Sequence, residues 1–112
     1  MQELKFPIDN ILANLGIKSL NNMQEAAINA VAASDDVILL SATGSGKTLA
    51  FLIPLLQLID TTDKNTQALI IVPSRELAQQ IELVFKSMGT GLKITSCCGG
   101  HLRDTEENNL KQ

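Results

Sequence analysis

A chain of 112 residues with 45% hydrophobic and 19% charged side chains has the make-up of one globular domain, or part of one, with a single modest core. Its net charge of −3 excludes a globally basic nucleic-acid binder, so contact with a polynucleotide has to come from a local patch or from backbone donors. No stretch reaches the roughly 18 uncharged apolar residues of a membrane-spanning helix, and Met1-Gln2-Glu3-Leu4-Lys5 lacks the basic-then-apolar order of a secretory signal, so a soluble, cytoplasmic protein is expected.

Ile8, Ile11, Leu12 and Leu15 recur at helical spacing and stop at Gly16, which predicts a short helix closed by a glycine C-cap. A second helix follows, capped by Asn21 or Asn22 and offering Ala26, Ala27, Ala30 and Val31 as small apolar contacts. Ser34-Asp35-Asp36 turns the chain into Val37-Ile38-Leu39-Leu40, an apolar run expected to be a buried strand. After it, Ser41-Ala42-Thr43-Gly44-Ser45-Gly46-Lys47-Thr48 leads into a third helix, from about Gly46 through Leu58. Pro54 lies inside that helix, removes one hydrogen bond and predicts a kink or an end nearby. Gln67-Ala68-Leu69-Ile70-Ile71-Val72 is a second buried strand halted by Pro73, and Leu77, Ile81, Val84 and Phe85 mark another helix. Lys93 to Cys97 is expected to be a third strand, and a last helix starts from about Arg103. Strands alternating with helices predict an α/β fold: a parallel sheet covered on both faces, with right-handed crossovers.

Within residues 41–48 each residue type has its own task. Glycines at 44 and 46 let the backbone take positive φ and turn successive N–H groups inward, and the helix N-terminus that follows favours anions. Triphosphate oxygens are the natural guest. Lys47 reaches the β- and γ-phosphates as a point charge, and the Thr48 hydroxyl takes one coordination position on Mg²⁺. The pattern departs from Gly-x-x-x-x-Gly-Lys-[Ser/Thr] only at Ser41, where glycine is usual. The plain alternative is a Gly/Ser-rich connector that happens to contain Lys-Thr, and the apolar runs on either side argue for the phosphate loop. Cys97 and Cys98 are adjacent, which suits neither a zinc pair nor an ordinary disulfide, so packing at the end of a strand is expected of them. His101, after Gly99-Gly100, has the context of a surface loop histidine.

Three separated segments together resemble the DEAD-box RNA helicases, and within that family the first half of the first RecA-like domain. Gly16-Ile17-Lys18-Ser19-Leu20-Asn21-Asn22-Met23-Gln24 resembles the Q motif, Ser41 to Thr48 resembles motif I, and Pro73-Ser74-Arg75-Glu76-Leu77-Ala78 resembles motif Ia. Gly99-Gly100 resembles the glycine doublet that follows, and order and spacing make the match specific over most of the chain. The resemblance implies a P-loop NTPase with a RecA-like parallel sheet, helices on both faces and the sheet incomplete, residues 1–112 forming the N-terminal portion of the ATP-binding domain.

It also implies roles. Gln24 is the position that reads adenine: a carboxamide donates to N7 and accepts from the N6 amino group, whereas guanine presents an acceptor there and is rejected. Leu20 and Asn21 stand where the family has Pro and Ser/Thr, and the family's adenine-stacking aromatic falls upstream of Met1, which leaves Phe6 to pack in the core. Thr43, Gly44, Ser45, Gly46, Lys47 and Thr48 hold the phosphates, with Lys47 and Thr48 taking part in catalysis and Thr48 binding Mg²⁺. Pro73, Ser74, Arg75, Gly99 and Gly100 hold the phosphodiester backbone of single-stranded RNA through hydroxyl, guanidinium and N–H donors, without reading bases. Plainer alternatives stand beside these: Gln24 as an exposed polar residue, Ser74 as a helix cap, Arg75 paired with a carboxylate, and the glycines as a turn.

Neither an Asp-Glu-Ala-Asp segment, nor the family's later Ser-Ala-Thr motif, nor the second RecA-like domain with its arginine finger occurs before Gln112. The chain alone is therefore expected to bind ATP with Mg²⁺ without hydrolysing it, and the whole protein to be an ATP-dependent RNA helicase acting on single-stranded RNA or an RNA duplex. A non-catalytic nucleotide-binding interaction module and an unrelated P-loop DNA translocase are the alternatives. A partial sheet further predicts uncovered edges and apolar faces, and with them association or poor solubility.

Overall fold

The first helix, α1 (Ile8–Leu15), ends as its glycine dictates: Gly16 takes a φ of 72°, and the Ile17 N–H reaches back to the Leu12 carbonyl oxygen at 2.9 Å. The computed structural model describes residues 6–42, 44 and 46–97, and among these it forms four helices. In α2 (Asn22–Ala33) the cap is Asn21, whose Oδ1 accepts from the Gln24 N–H at 2.9 Å while its own N–H donates to Gln24 Oε1 at 3.0 Å. This reciprocal capping box satisfies two donors that a helix start otherwise leaves without partners. Gln24 and Ala27 are buried, Ala30 and Val31 half-buried, and Ala26, expected on the same face, is exposed.

The helix after the glycine loop, α3 (Lys47–Leu58), is the centre of the molecule. It packs against both α2 and α4, so Leu49, Ala50, Leu52, Ile53, Pro54 and Leu56 are all buried and its surface is apolar almost all round. Pro54 does not end it. The proline removes the hydrogen bond to the Ala50 carbonyl, but the helix continues through it to Leu58, close to the end where carbonyls lose their partners in any case. In α4 (Arg75–Ser87) the Ser74 Oγ caps the start, accepting from the Leu77 N–H at 3.2 Å. Ile81 and Phe85 are buried, and Leu77 and Val84 pack against them as the periodicity predicts.

These helices meet in one core of Ile11, Leu49, Leu52, Ile53, Leu56, Ile81, Phe85 and Met88. Burial of each such side chain stabilises the fold by about 1.5–3 kcal/mol relative to leaving it in water. Phe6 packs against this core, and its main chain is held by a carboxamide on α3: Gln57 Nε2 donates to the Phe6 carbonyl at 3.1 Å. Asn14 Nδ2 donates to the Met88 carbonyl at 2.9 Å and ties α1 to the end of α4.

The expected parallel sheet is the principal difference. Among the described residues, 37–40, 67–72 and 93–97 are neither helical nor paired into strands. Their two-residue alternation survives: Ile70, Val72, Leu92 and Ile94 pack against the core, while Ile38, Leu40, Leu69 and Ile71 are more than 80% exposed. A parallel sheet is stable when helices cover both faces, and the described helices cover one. Cys97, expected to pack, is exposed with a free thiol. Cys98, His101 and the helix expected from Arg103 lie outside the described residues.

Candidate nucleotide and nucleic-acid site

The loop that enters α3 turns on two glycines in the left-handed region, Gly44 at φ 80° and Gly46 at φ 88°. Gly46 is the residue before the helix, and no side chain caps that terminus, so the first N–H groups of α3 face the loop without a side-chain acceptor. The starts of α2 and α4, by contrast, are closed by Asn21 and Ser74. Lys47 is exposed and folds back across the loop, its Nζ donating to the Ser41 carbonyl oxygen at 3.1 Å. An ammonium resting on a neutral acceptor at an uncapped helix N-terminus makes a concentrated positive site, and an anionic oxygen is a stronger acceptor than the carbonyl it would replace. Thr48, half-buried, is the second residue of α3. Thr43 and Ser45 lie outside the described residues.

Gln24 sits against this loop and is not the exposed polar residue of the plain alternative. It is 5% exposed, and its Nε2 donates to the Gly46 carbonyl oxygen at 3.1 Å. The Q-like segment and the phosphate loop, far apart in sequence, are thus joined directly. The Asn21–Gln24 capping box was a missed signal: an N-cap residue followed three positions later by Gln is the pattern that marks one.

At the other segment, Pro73, Ser74 and Arg75 are exposed at the start of α4. Ser74 caps the helix, as the plainer alternative had it, so its Oγ already serves the Leu77 N–H. Arg75 opens the helix, and its side chain is at the surface. Gly99 and Gly100 lie outside the described residues. Among the described residues there is no cluster of three or more His, Cys, Asp or Glu able to hold a metal, and no helix long and apolar enough to cross a membrane.

A family model described as DEAD/DEAH box helicase matches residues 21–112, from the cap of α2 through the loop and α4. The chain belongs to this family. DEAD/DEAH box relatives include the ATP-dependent RNA helicase DeaD of Mycobacterium tuberculosis (strain ATCC 25618 / H37Rv), 46% identical over 81 residues, covering 72% of this chain and 14% of the relative. The ATP-dependent RNA helicase FAL1 of Kluyveromyces lactis is 41% identical over 87 residues, covering 76% of this chain and 22% of the relative. The pre-mRNA-splicing ATP-dependent RNA helicase prp28 of Sclerotinia sclerotiorum is 38% identical over 112 residues, covering 91% of this chain and 14% of the relative. Across the relatives cited, the chain spans between 14% and 22% of their length. No solved structure gives a significant match. Membership of the DEAD/DEAH box family implies a RecA-like P-loop fold, of which the described residues form helices.

Proposed function

We propose that this chain is the ATP- and RNA-binding portion of a DEAD-box RNA helicase that couples ATP binding and hydrolysis to unwinding or remodelling of RNA duplexes. The observation that carries this is the uncapped start of α3 at Gly46 with the Lys47 ammonium folded over the loop. The phosphates of ATP sit there, against the N–H groups of α3 and the backbone of 43–46, with Lys47 on the β- and γ-phosphates. The donor set fits Mg²⁺ as well: Thr48 supplies a hydroxyl oxygen beside the phosphates, and the ion neutralises charge on them. Adenine reading by Gln24 requires its carboxamide to exchange both protein partners, Asn21 and Gly46, for the ring.

RNA binds through its backbone at Pro73, Ser74, Arg75, Gly99 and Gly100, with the Arg75 guanidinium as the strongest donor because Ser74 is engaged as a cap. The chain alone binds nucleotide without hydrolysing it, and hydrolysis requires a partner second RecA-like domain to place charge on the transferring phosphoryl group. The proposed setting is cytoplasmic. The test is ATPase activity of the full-length protein with single-stranded RNA and with single-stranded DNA. Stimulation by RNA at least tenfold over DNA is the expected result. Equal stimulation, or preference for DNA, would give the chain to a DNA translocase, and no hydrolysis under any condition would give it to a non-catalytic module.

A further inference from the structure

The Gln24 carboxamide has both ends engaged in a buried position. Its Oε1 is fixed by the Asn21 N–H at 3.0 Å, which holds it at the start of α2, and its Nε2 crosses to the Gly46 carbonyl oxygen at 3.1 Å. That carbonyl is a shared acceptor, because the Ala50 N–H also donates to it, at 3.2 Å, as the first bond of α3. The peptide group is planar and trans, so a fixed Gly46 C=O fixes the Lys47 N–H in the opposite direction, out of the helix N-terminus and into the loop. Gly46 is shaped for the contact in two ways. Its φ of 88° disfavours any side chain, and a Cβ placed there would stand 2.5 Å from Gln24 Nε2.

We propose that Gln24 is a positioning residue for the phosphate end of the nucleotide site: through the Gly46 carbonyl it aims the Lys47 N–H at phosphate oxygens, and its contribution to binding is independent of the base. The inference rests on the phosphate-loop reading given above. A base-reading role makes the opposite demand, since the same donor and acceptor must leave Gly46 and Asn21 to meet the ring.

Equilibrium titration of the protein and of its Gln24→Ala and Gln24→Met variants with inorganic tripolyphosphate, ADP and GDP, each with Mg²⁺, separates the two. Gln24→Met keeps the volume of the buried side chain and removes only its hydrogen bonds, and circular dichroism checks that each variant is folded. Asn14→Ala, which loses the bond between α1 and the end of α4, is the control for a general loss of stability. The expected result is that both Gln24 variants weaken all three ligands by a common factor, roughly five- to tenfold, the scale of one hydrogen bond, while Asn14→Ala binds as the parent does. A loss confined to ADP overturns the proposal and makes Gln24 a base reader. Unchanged binding in the Gln24 variants, or an equal loss in Asn14→Ala, overturns it too. If the unaltered protein binds neither tripolyphosphate nor ADP, the phosphate-loop reading itself fails, a result distinct from failure of the positioning role.

Discussion

Gly46 carries more constraint than any other residue of the loop, because it serves the turn, the start of α3 and the Gln24 contact together. Gly46→Ala places a Cβ at positive φ, at a cost of about 1–3 kcal/mol, and drives it into the Gln24 amide. Urea unfolding of the variant is expected to show that loss, and phosphate binding should fall with it; an unchanged midpoint would mean that the loop does not hold this conformation in solution. Ser74 and Arg75 are neighbours with opposite expected signatures. Ser74→Ala removes the α4 cap and lowers stability by about 1 kcal/mol. Arg75→Ala, at an exposed position, costs less stability but weakens RNA binding uniformly across sequences and lowers the salt slope by about one counterion. Parallel denaturation and RNA titrations at several salt concentrations check both, and an Arg75→Ala variant with an unchanged salt slope would remove Arg75 from the RNA site.

The elements differ in how far local chemistry determines them. Gly16, Asn21 and Ser74 announce helix ends by mechanisms confined to a few residues, and all three act as those mechanisms require. The apolar runs 37–40, 67–72 and 93–97 were equally visible, but strand pairing depends on partners distant in sequence, which the runs themselves do not name. The site divides along the same line. The loop's glycines and Lys47 were legible from type and spacing, whereas the link from Gln24 to Gly46 is a tertiary contact that only the packing of α2 on α3 reveals. Met88 escaped notice for a related reason: it lies past the last periodic position of α4 yet is 1% exposed in the core. Because α3 supplies most of that core, Leu52→Ala, at a position with no exposure, is expected to cost about 2–5 kcal/mol, a large share of the stability of a small domain. Thermal or urea denaturation measures it, and a loss below 1 kcal/mol would contradict the central place given to α3.

At the level of the whole molecule, the outward residues of the two apolar runs define the surface chemistry. Ile38, Leu40, Leu69 and Ile71 expose large side chains beside one another in sequence, an arrangement that favours association of the isolated chain. Replacing Leu69 and Ile71 together with lysine is expected to raise the fraction of monomer on concentration, seen by light scattering after gel filtration, with little change in unfolding midpoint since neither side chain packs in the core. The same chain presents, at the other end of α3, a helix start that no side chain caps and a lysine held only by a carbonyl. Calorimetric titration of the protein and of Lys47→Ala with ADP and Mg²⁺ tests that assignment most directly. Binding by the parent chain and at least tenfold weaker binding by a variant with an unchanged circular dichroism spectrum are expected; equal binding by the two folded proteins would contradict the assignment of the phosphate site to this loop.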